Sequence, residues 1–376
     1  MSLAALETPC LLLDPTRLQR NLERMSERAR SLGVHLRPHL KTAKSCDVAR
    51  RATADEFGGI TVSTLHEAEY FLAGGFVDLL YAVGIVADKL PRAARLVRAG
   101  ARLTLILDSV EAAREVAAFA ATHAVAFAVL IEIDTGEGRS GLLPDAADLV
   151  EIGWTLDRPP YCRLDGVMTH AGHSYAARDL ATVARIAETE RSGAVRAAER
   201  LRAAGFRAPV VSIGSTPTAL HAAQLEGVTE LRAGVYMFGD LFQAQIGSCA
   251  VEDLAVSVLA TVTGHRRDAG HLLIDAGGLA LSKDRSTADA PHDCGFGLLA
   301  REDGTPFAHE LKVVRVYQEH GLVRAADGDL PFDDLPVGAR VRVLPNHVCM
   351  TAAMYDRYHL VEGAAIVGEW TRTNGW

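Results

Sequence analysis

A short run of glycine and hydroxyl residues, Gly214-Ser215-Thr216-Pro217, has the composition of an anion-binding turn. It follows a predicted strand and opens a predicted helix, whose free N–H groups and dipole favour negative charge. Gly214 lets the backbone approach a ligand, and Ser215 and Thr216 offer hydroxyl donors. The same letters are also good helix-capping chemistry. Phosphate binding and plain capping are both open here, and Gly234, at the end of the next predicted strand, favours phosphate.

Lysine is scarce, because only five of the 39 basic residues are lysines. Lys41 follows the apolar Leu40 at the end of a predicted strand. A lysine desolvated there could be neutral enough to form a Schiff base. A lysine and a phosphate cradle at the same strand ends point to pyridoxal phosphate (PLP) as cofactor. The alternative is an ordinary surface lysine in a loop, which is what we expect for Lys44.

Two further side chains could contact such a cofactor. Arg139 lies in a glycine-rich turn and could donate hydrogen bonds to a phenolate or carboxylate oxygen, or form an ion pair with Asp134 or Glu137. His170 could stack on a ring, act as a ligand or be a satisfied core histidine. The sequence pattern leaves these alternatives open.

Near the C terminus, His347 and Cys349 stand two positions apart in Pro345-Asn346-His347-Val348-Cys349. On an extended segment both side chains would point to the same side and could bind one soft divalent metal. The spacing is common by chance, and two ligands are fewer than a structural zinc site needs. A metal held in this way would have open positions, which suits substrate binding and catalysis.

Short apolar runs alternate with amphipathic stretches through the first two-thirds of the chain. Such alternation predicts a parallel sheet with right-handed crossovers. Eight strand–helix units in about 240 residues favour a (β/α)8 TIM barrel over an open doubly wound sheet, and barrel enzymes work at the carboxyl ends of their strands. The predicted strands are His35–Leu40, Gly59–Thr64, Asp78–Val83, Arg102–Asp108, Phe127–Asp134, Asp165–His170, Pro209–Gly214 and Glu230–Phe238.

From about Cys249 onward the helical periodicity fades and turn-rich segments separate predicted strands. We therefore expect a barrel over residues 8–245 and a mainly antiparallel β domain over 246–376, with residues 1–13 able to pack with the second domain. The expected C-terminal strands are Leu254–His265, His271–Ala276, Leu311–Glu319, Ala339–Pro345 and Tyr358–Trp370.

Composition excludes several classes of protein. The 376 residues are 49% hydrophobic and 23% charged, which is ordinary for a globular enzyme. A net charge of −8 without a basic run argues against nucleic-acid partners and anionic membranes. No apolar stretch approaches the ~20 residues that cross a bilayer, and no signal-peptide pattern is present. Six scattered cysteines favour reduced thiols and a cytoplasmic protein.

Five motifs occur in an order that is recognisable. They are R-P-H-x-K-T, D-T-G-x-x-R-x-G, S-I-G-S-T-P, Q-E-H-G and P-N-H-V-C, at Arg37–Thr42, Asp134–Gly141, Ser212–Pro217, Gln318–Gly321 and Pro345–Cys349. Together they resemble fold-type III PLP enzymes, namely the eukaryotic-type D-serine dehydratase and D-threonine aldolase group. The resemblance spans nearly the whole chain and implies an alanine-racemase-like barrel.

The resemblance also implies residue roles. Lys41 matches the lysine that holds PLP, Arg139 the arginine near the phenolic oxygen, and His170 the residue beside the ring, with Tyr175 in the same motif. His347 and Cys349 match the pair that binds a divalent metal, with zinc favoured and manganese another possibility. The phosphate region matches Ser212, Gly214, Ser215, Thr216, Gly234, Val235 and Tyr236. The family is typically a homodimer in which the β domain of one subunit completes the neighbour's site.

Within that group three details favour a dehydratase of D-β-hydroxy amino acids, such as D-serine or D-threo-3-hydroxyaspartate. Cys349 stands where some aldolases have aspartate, the segment His170–Tyr175 looks like the dehydratase H-x-G-x-x-Y, and Thr351–Met354 is also dehydratase-like. The products would be a 2-oxo acid and ammonia. One departure is Arg232, which resembles the alanine-racemase arginine that faces the pyridine nitrogen.

Three other functions remain as alternatives. An aldolase would cleave D-threonine to glycine and an aldehyde with the same cofactor and metal. An amino-acid racemase needs a second base, and the racemase tyrosine motif is not found. A PLP carrier without turnover would not need the large second domain.

Overall fold

The computed structural model describes residues 2–54, 59–157 and 160–376. The chain divides into two compact units. The β unit consists of Met1–Glu23 and Val235–Asn374, and the barrel unit consists of Arg24–Gly234 and Gly375–Trp376. The domain ranges expected from the sequence, 8–245 and 246–376, stay a prediction.

The strands fall into two sheets, one in each unit. Their bounds in chain order are β1 (Cys10–Leu13), β2 (His35–Pro38), β3 (Ile60–Val62), β4 (Asp78–Gly84), β5 (Arg102–Leu107), β6 (Phe127–Glu132), β7 (Cys162–Met168), β8 (Val210–Ile213), β9 (Glu230–Ala233), β10 (Val256–Arg266), β11 (His271–Ile274), β12 (Leu298–Arg301), β13 (Leu311–Val316), β14 (Gly321–Ala325), β15 (Arg340–Leu344), β16 (Arg357–Glu362) and β17 (Ala365–Thr371).

The longer helices come before β9 in the chain, and those after β9 are short. Their bounds are α1 (Pro15–Ser31), α2 (Cys46–Ala52), α3 (Leu65–Ala73), α4 (Leu90–Arg98), α5 (Val110–His123), α6 (Asp148–Leu156), α7 (Leu180–Ala203), α8 (Thr216–His221), α9 (Leu241–Ile246), α10 (Gly278–Leu281) and α11 (Val348–Thr351). Within the described part of the chain, none of them is both long enough and apolar enough to span a lipid bilayer.

Eight parallel strands form a nearly closed barrel in the order β2-β9-β8-β7-β6-β5-β4-β3. The two ends of this sheet approach at a single parallel bridge between His39 and Thr61. The expected TIM-type barrel is therefore confirmed, and each of the eight predicted strands is present. The carboxyl ends of its strands gather at one face, where barrel enzymes place their sites.

The barrel interior contains an apolar layer and a charged one. Leu80, Ile106, Leu130 and Met168 pack together as one buried cluster. Arg37 donates to Glu230 at 2.6 Å and to Asp78 at 2.7 Å. Burial of a charge is costly unless it is paired, and the two carboxylates provide that pairing.

Side-chain caps start the barrel helices where the sequence places hydroxyl or acidic residues. Thr64 accepts a hydrogen bond from the Glu67 N–H at the start of α3, and Ser109 accepts one from Ala112 at the start of α5. Asp179 accepts the Thr182 N–H at 2.7 Å and begins α7. Each cap satisfies a main-chain donor that the helix itself leaves free.

The β unit is built on a mainly antiparallel nine-stranded sheet, in the order β11-β14-β13-β12-β15-β10-β1-β16-β17. The antiparallel β domain expected from the sequence is confirmed. Strand β1 pairs antiparallel with β10 and parallel with β16. The sequence predicts one strand at Tyr358–Trp370, and this prediction is wrong. The segment is a hairpin formed by β16 and β17. The chain turns there at Gly363, whose φ is +59°.

Candidate active site

Lys41 lies in the turn after β2, in the barrel unit. The preceding Leu40 donates its N–H to the Thr61 carbonyl at 2.9 Å, and Lys41 donates its own N–H to Nδ1 of His39 at 3.4 Å. The Lys41 side chain is exposed, whereas Thr42 and Ala43 beside it are buried. The sequence predicts that the chain shields Lys41 from solvent, and that prediction is wrong. In this turn Thr42 and Ala43 pack inward, and the Lys41 side chain does not.

Lys44 is not the plain surface lysine that the sequence suggests. Its Nζ lies 3.2 Å from Oε1 of Glu67, whose side chain is 1% exposed. Lys44 therefore balances a buried carboxylate at the start of α3. Its role is structural, and the two lysines of the motif differ in environment.

His170 follows β7 and contacts the loop after β8. Its Nδ1 lies 2.8 Å from the Gly214 carbonyl oxygen. Burial and the nearby charge of Lys41 lower the pKa of His170 to about 3. The imidazole is therefore neutral near pH 7, and Nδ1 must carry the hydrogen that it donates to Gly214. The Tyr175 ring lies 6.2 Å away, centroid to centroid.

The Gly214–Pro217 turn caps helix α8. Ser215 Oγ accepts the Thr218 N–H at 3.2 Å, and Thr218 Oγ1 accepts the Ser215 N–H at 3.0 Å. This reciprocal capping box is the structural alternative that the sequence left open. Ser215, Thr216 and Thr218 are all buried. Phosphate binding at this turn stays a prediction.

Two glycines allow close approach of the backbone at the ends of β8 and β9. Gly214 has a φ of +134°, and a Cβ there would fall 2.2 Å from the Arg232 carbonyl oxygen. A Cβ at Gly234 would fall 2.8 Å from the His39 carbonyl oxygen. No other residue fits either position without displacing its neighbours.

Arg232 is buried within the barrel on β9. Its Nε donates to Ser212 Oγ at 2.8 Å, and Nη2 donates to the Thr169 carbonyl. Ser212 in turn donates to Glu230 Oε1 at 2.6 Å. Ser212 is therefore held in a polar chain between Arg232 and Glu230. Burial lowers the pKa of Arg232, and the neighbouring Glu230 opposes that effect.

Arg139 is exposed and pairs with two carboxylates. Its guanidinium lies 3.6 Å from Glu137 and 3.8 Å from Glu132. Asp134, the other partner considered from the sequence, instead accepts the N–H groups of Gly136 and Gly138. Arg139 thus has an ion pair in this structure and stays a candidate for contact with the cofactor.

Four of the predicted cofactor residues lie close enough for their charges to interact. The charges of Lys41, Arg232 and Arg139 all lower the pKa of His170. His39 belongs to the same cluster, because burial and the charges of Lys41 and Arg232 hold its pKa well below its usual value. A cationic cluster with glycine-lined backbone suits an anionic phosphorylated ligand such as PLP.

The β unit places His347 and Cys349 side by side. The extended segment expected from the sequence is wrong, because Val348–Thr351 forms the helical turn α11 and His347 is its N-cap. The two side chains still interact. Burial opposes a charge on His347, but Asp284 and Cys349 together raise its pKa to about 11. An imidazole that contacts a thiol and has a carboxylate beside its other nitrogen is a donor set that fits a soft divalent cation.

Two carboxylates hold His347 and the start of α11 in place. Asp284 Oδ2 lies 2.7 Å from His347 Nδ1. Asp240 is fully buried and accepts the Val348 N–H at 3.0 Å, which fixes the start of α11. Among the residues that the structure describes, no group of three or more histidine, cysteine or acidic side chains could hold a metal. The assignment of His347 and Cys349 as metal ligands stays a prediction.

Val235 and Tyr236 fall within the β unit. They form a short helical turn, Val235–Met237, directly after β9, and both are buried. Their expected contact with a phosphate group stays a prediction.

Sequence reasoning missed Asp284, Glu230 and Glu190, the last of which accepts the N–H groups of Ala171 and Gly214. Asp284 is 63 positions from His347, and no spacing rule connects them. In the sequence Glu230 is only a strand residue, and Glu190 is only part of an amphipathic helix. Their importance appears only through their hydrogen bonds.

Comparison with known proteins identifies the family. Residues 13–241 match the alanine racemase N-terminal domain, and residues 255–361 match the putative serine dehydratase domain. A D-threo-3-hydroxyaspartate dehydratase of Delftia sp. (strain HT23) is 48% identical, over 100% of this chain and 99% of its own. The chain belongs to the alanine-racemase-like D-serine dehydratase family.

Other members of the D-serine dehydratase family agree in length and fold. A D-serine dehydratase of Dictyostelium discoideum is 32% identical over 95% of this chain and 93% of its own. The solved structure of the Delftia dehydratase superposes with a TM-score of 0.96 and covers both chains completely. Histidine-to-alanine and cysteine-to-alanine mutants of a D-threo-3-hydroxyaspartate dehydratase each give a TM-score of 0.97, the cysteine mutant in its metal-free form.

Proposed function

We propose that this chain is a PLP- and divalent-metal-dependent dehydratase of D-β-hydroxy amino acids. The observation that carries the proposal is the full-length 48% identity to a D-threo-3-hydroxyaspartate dehydratase, in a chain that pairs His347 with Cys349. D-threo-3-Hydroxyaspartate and D-serine are the substrates we favour. The products would be the corresponding 2-oxo acid and ammonia.

PLP is proposed to bind in the barrel unit. Lys41 would hold it covalently through Nζ, and the turn from Gly214 to Thr216 would hold its phosphate. When bound, PLP withdraws electrons from the substrate's Cα. His170 supports this assignment, because its neutral ring and its bond to Gly214 fix a flat surface beside the turn. Arg232 would present a cation towards the pyridine nitrogen and so disfavour protonation of that nitrogen. The ring would then withdraw electrons less strongly than it would beside a carboxylate.

His347 and Cys349 are proposed to hold the divalent metal, with zinc favoured. A divalent cation supplies Lewis acidity for departure of the β-hydroxyl. The substitutions in the dehydratase mutants, a histidine and a cysteine two positions apart, support the assignment, because His347 and Cys349 have the same spacing. Asp284 would keep the hydrogen on Nδ1 of His347, so that Nε2 faces the metal.

Lys41 is the proposed base. With PLP bound, the Lys41 Nζ would be the group that accepts the proton from the substrate's Cα. The electron pair of that C–H bond would form the Cα–Cβ double bond as the β-hydroxyl leaves with the C–O pair. The departing hydroxide would take up one proton, equal in number to the proton that Lys41 removes, and become water. Hydrolysis of the released enamine consumes one water and gives the 2-oxo acid and ammonia.

A substrate panel tests the proposal. Purified protein with PLP and Zn²⁺ is incubated with D-threo-3-hydroxyaspartate, D-serine and D-threonine, and keto acid, ammonia, glycine and aldehyde are measured separately. We expect equal amounts of 2-oxo acid and ammonia from at least one of the first two substrates. Glycine with an aldehyde would instead identify an aldolase, and PLP binding without turnover would identify a carrier.

We further propose that the protein is a homodimer, as the resemblance implies. Light scattering on the eluted protein would test this by mass, with twice the 40.2 kDa of the chain expected.

A further inference from the structure

Glu190 is a buried acid for which the proposed reaction has no use. It lies in α7, and none of its side chain is exposed. Burying a carboxyl group is unfavourable unless it is hydrogen-bonded. An alanine or leucine would fit the apolar face of α7 with less desolvation, so this position needs a different explanation.

The Glu190 carboxyl connects two loops of the barrel. Its Oε1 accepts the N–H of Ala171 at 3.0 Å and the N–H of Gly214 at 3.0 Å. Ala171 follows β7, directly after His170, and Gly214 follows β8. One side-chain oxygen therefore joins the ends of two neighbouring strands.

The Gly214 residue is held at both of its polar main-chain atoms. Its N–H donates to Glu190, and its carbonyl accepts from His170 Nδ1 at 2.8 Å. A hydroxyl contact between Ser174 and Ser215, at 2.8 Å, joins the same two loops further out. Because a Cβ at Gly214 would collide with β9, this residue has little room to shift.

We propose that Glu190 is a positioning residue that fixes the loop of His170 relative to the turn of Gly214 and Ser215. It thereby sets the spacing between the ring-side and phosphate-side residues of the PLP site, and in this respect the inference rests on the proposed function. Glu190 acts through its accepting oxygen, not through its charge.

The surroundings of Glu190 support this interpretation. Burial raises the pKa of its carboxyl group, although the Thr218 hydroxyl and the Gly214 N–H favour the charged form. Among the described residues, its second oxygen, Oε2, is buried and has no hydrogen-bond partner. A glutamine keeps the accepting oxygen without the charge, and so separates the two contributions.

Three variants test the proposal. Glu190→Gln keeps the acceptor, Glu190→Met removes it at similar volume, and Glu199→Met changes an exposed acid of the same helix. The measurements are PLP affinity by titration of the cofactor-free protein, the melting temperature, and hydrogen exchange of peptides that cover residues 168–176 and 210–219.

We expect Glu190→Gln and Glu199→Met to bind PLP within about threefold of the wild type. Glu190→Met should bind PLP about tenfold or more weakly, because it loses two hydrogen bonds. Hydrogen exchange in both peptides should be faster. Unchanged affinity and exchange in Glu190→Met would overturn the proposal. A lower melting temperature at unchanged affinity would also overturn it, since that describes a merely structural residue.

If Glu190→Met does not fold, Glu190→Asp decides. It keeps the charge but shortens the reach by one methylene, so the same loss of affinity is expected, and wild-type affinity contradicts the proposal. If the wild-type protein does not bind PLP, the proposed function fails. Hydrogen exchange in both peptides then still decides whether Glu190 joins the loops.

Discussion

The Nδ1 atom of His347 lies 2.7 Å from Oδ2 of Asp284. Ligand histidines commonly donate their second N–H to a carboxylate, which fixes the tautomer and the ring orientation. Asp284 therefore leaves Nε2 of His347 as the atom available to a metal. The side chain that selects this atom stands far from the H-x-C motif in sequence.

Removing that carboxylate should weaken metal binding. We expect Asp284→Ala to lower Zn²⁺ affinity by about 10–100-fold, measured by competition with a chelator. Asp284→Asn should lose less, because its amide oxygen can still accept the Nδ1 hydrogen. Asp329→Ala, an exposed acid of the same unit, is the control and should bind as the wild type does. Equal affinity in all three variants would remove Asp284 from the site.

Lys41 should be the attachment point of the cofactor. Lys41→Ala is expected to abolish the absorbance band of covalently held PLP, because the other lysine of this motif, Lys44, is held in an ion pair. Lys44→Ala is the matched control, since Lys44 pairs with the buried Glu67. That variant should be less stable but keep the band. A retained band in Lys41→Ala would show that another residue holds PLP.

Gly214→Ala should destabilise the barrel. A φ of +134° costs about 1–3 kcal/mol for a residue with a Cβ, and the contact 2.2 Å from the Arg232 carbonyl adds to it. Gly205→Ala is a matched control, because Gly205 also has a positive φ, +97°, but a Cβ added there would have no atom within 4 Å. Chemical denaturation of both variants separates backbone strain from collision. Equal losses would contradict the close approach.

The neutral His170 predicts a loss of stability in acid. Its pKa is about 3 in the folded chain, below the usual 6.5, so the unfolded chain binds the proton first as pH falls. Its contribution to the free energy of unfolding is complete above pH 6.5 and declines towards pH 3. The slope is up to about 1.4 kcal/mol per pH unit.

Replacing that histidine should flatten the acid limb of the stability curve. The free energy of unfolding is measured by denaturant titration of cofactor-free protein between pH 6.5 and 4. As pH falls, it should decrease less steeply in His170→Gln than in the wild type. His309→Gln, at an exposed histidine, is the control and should follow the wild type. Parallel curves for wild type and His170→Gln would mean that His170 titrates normally in the folded chain.

The barrel could be predicted from the sequence because its strands are continuous apolar runs between amphipathic helices. Helix α1, Pro15–Ser31, is one of these amphipathic helices. Strands β1, β12 and β14 are absent from the sequence prediction, because each has only four or five residues. The sequence predicts one strand where β16 and β17 form a hairpin. The turn between them contains a single glycine, Gly363, which does not interrupt the alternation of apolar and polar residues.

The site could be predicted where a motif carries it and not where tertiary contacts do. Lys41, His347 and Cys349 stand in ordered motifs, so their types and spacing sufficed to nominate them. Glu190 and Asp284 act through hydrogen bonds between segments that only the fold brings together. The exposure of Lys41 was also beyond the sequence, since the direction of a turn depends on which neighbours pack inward.

The most direct measurement is product release from D-threo-3-hydroxyaspartate by the PLP-loaded protein before and after removal of its metal. We expect keto acid and ammonia in equal amounts before chelation, loss of both afterwards with PLP still bound, and recovery on addition of Zn²⁺ or another divalent cation. Undiminished product release from protein shown to be metal-free would contradict the account, because His347 and Cys349 would then have no part in the reaction.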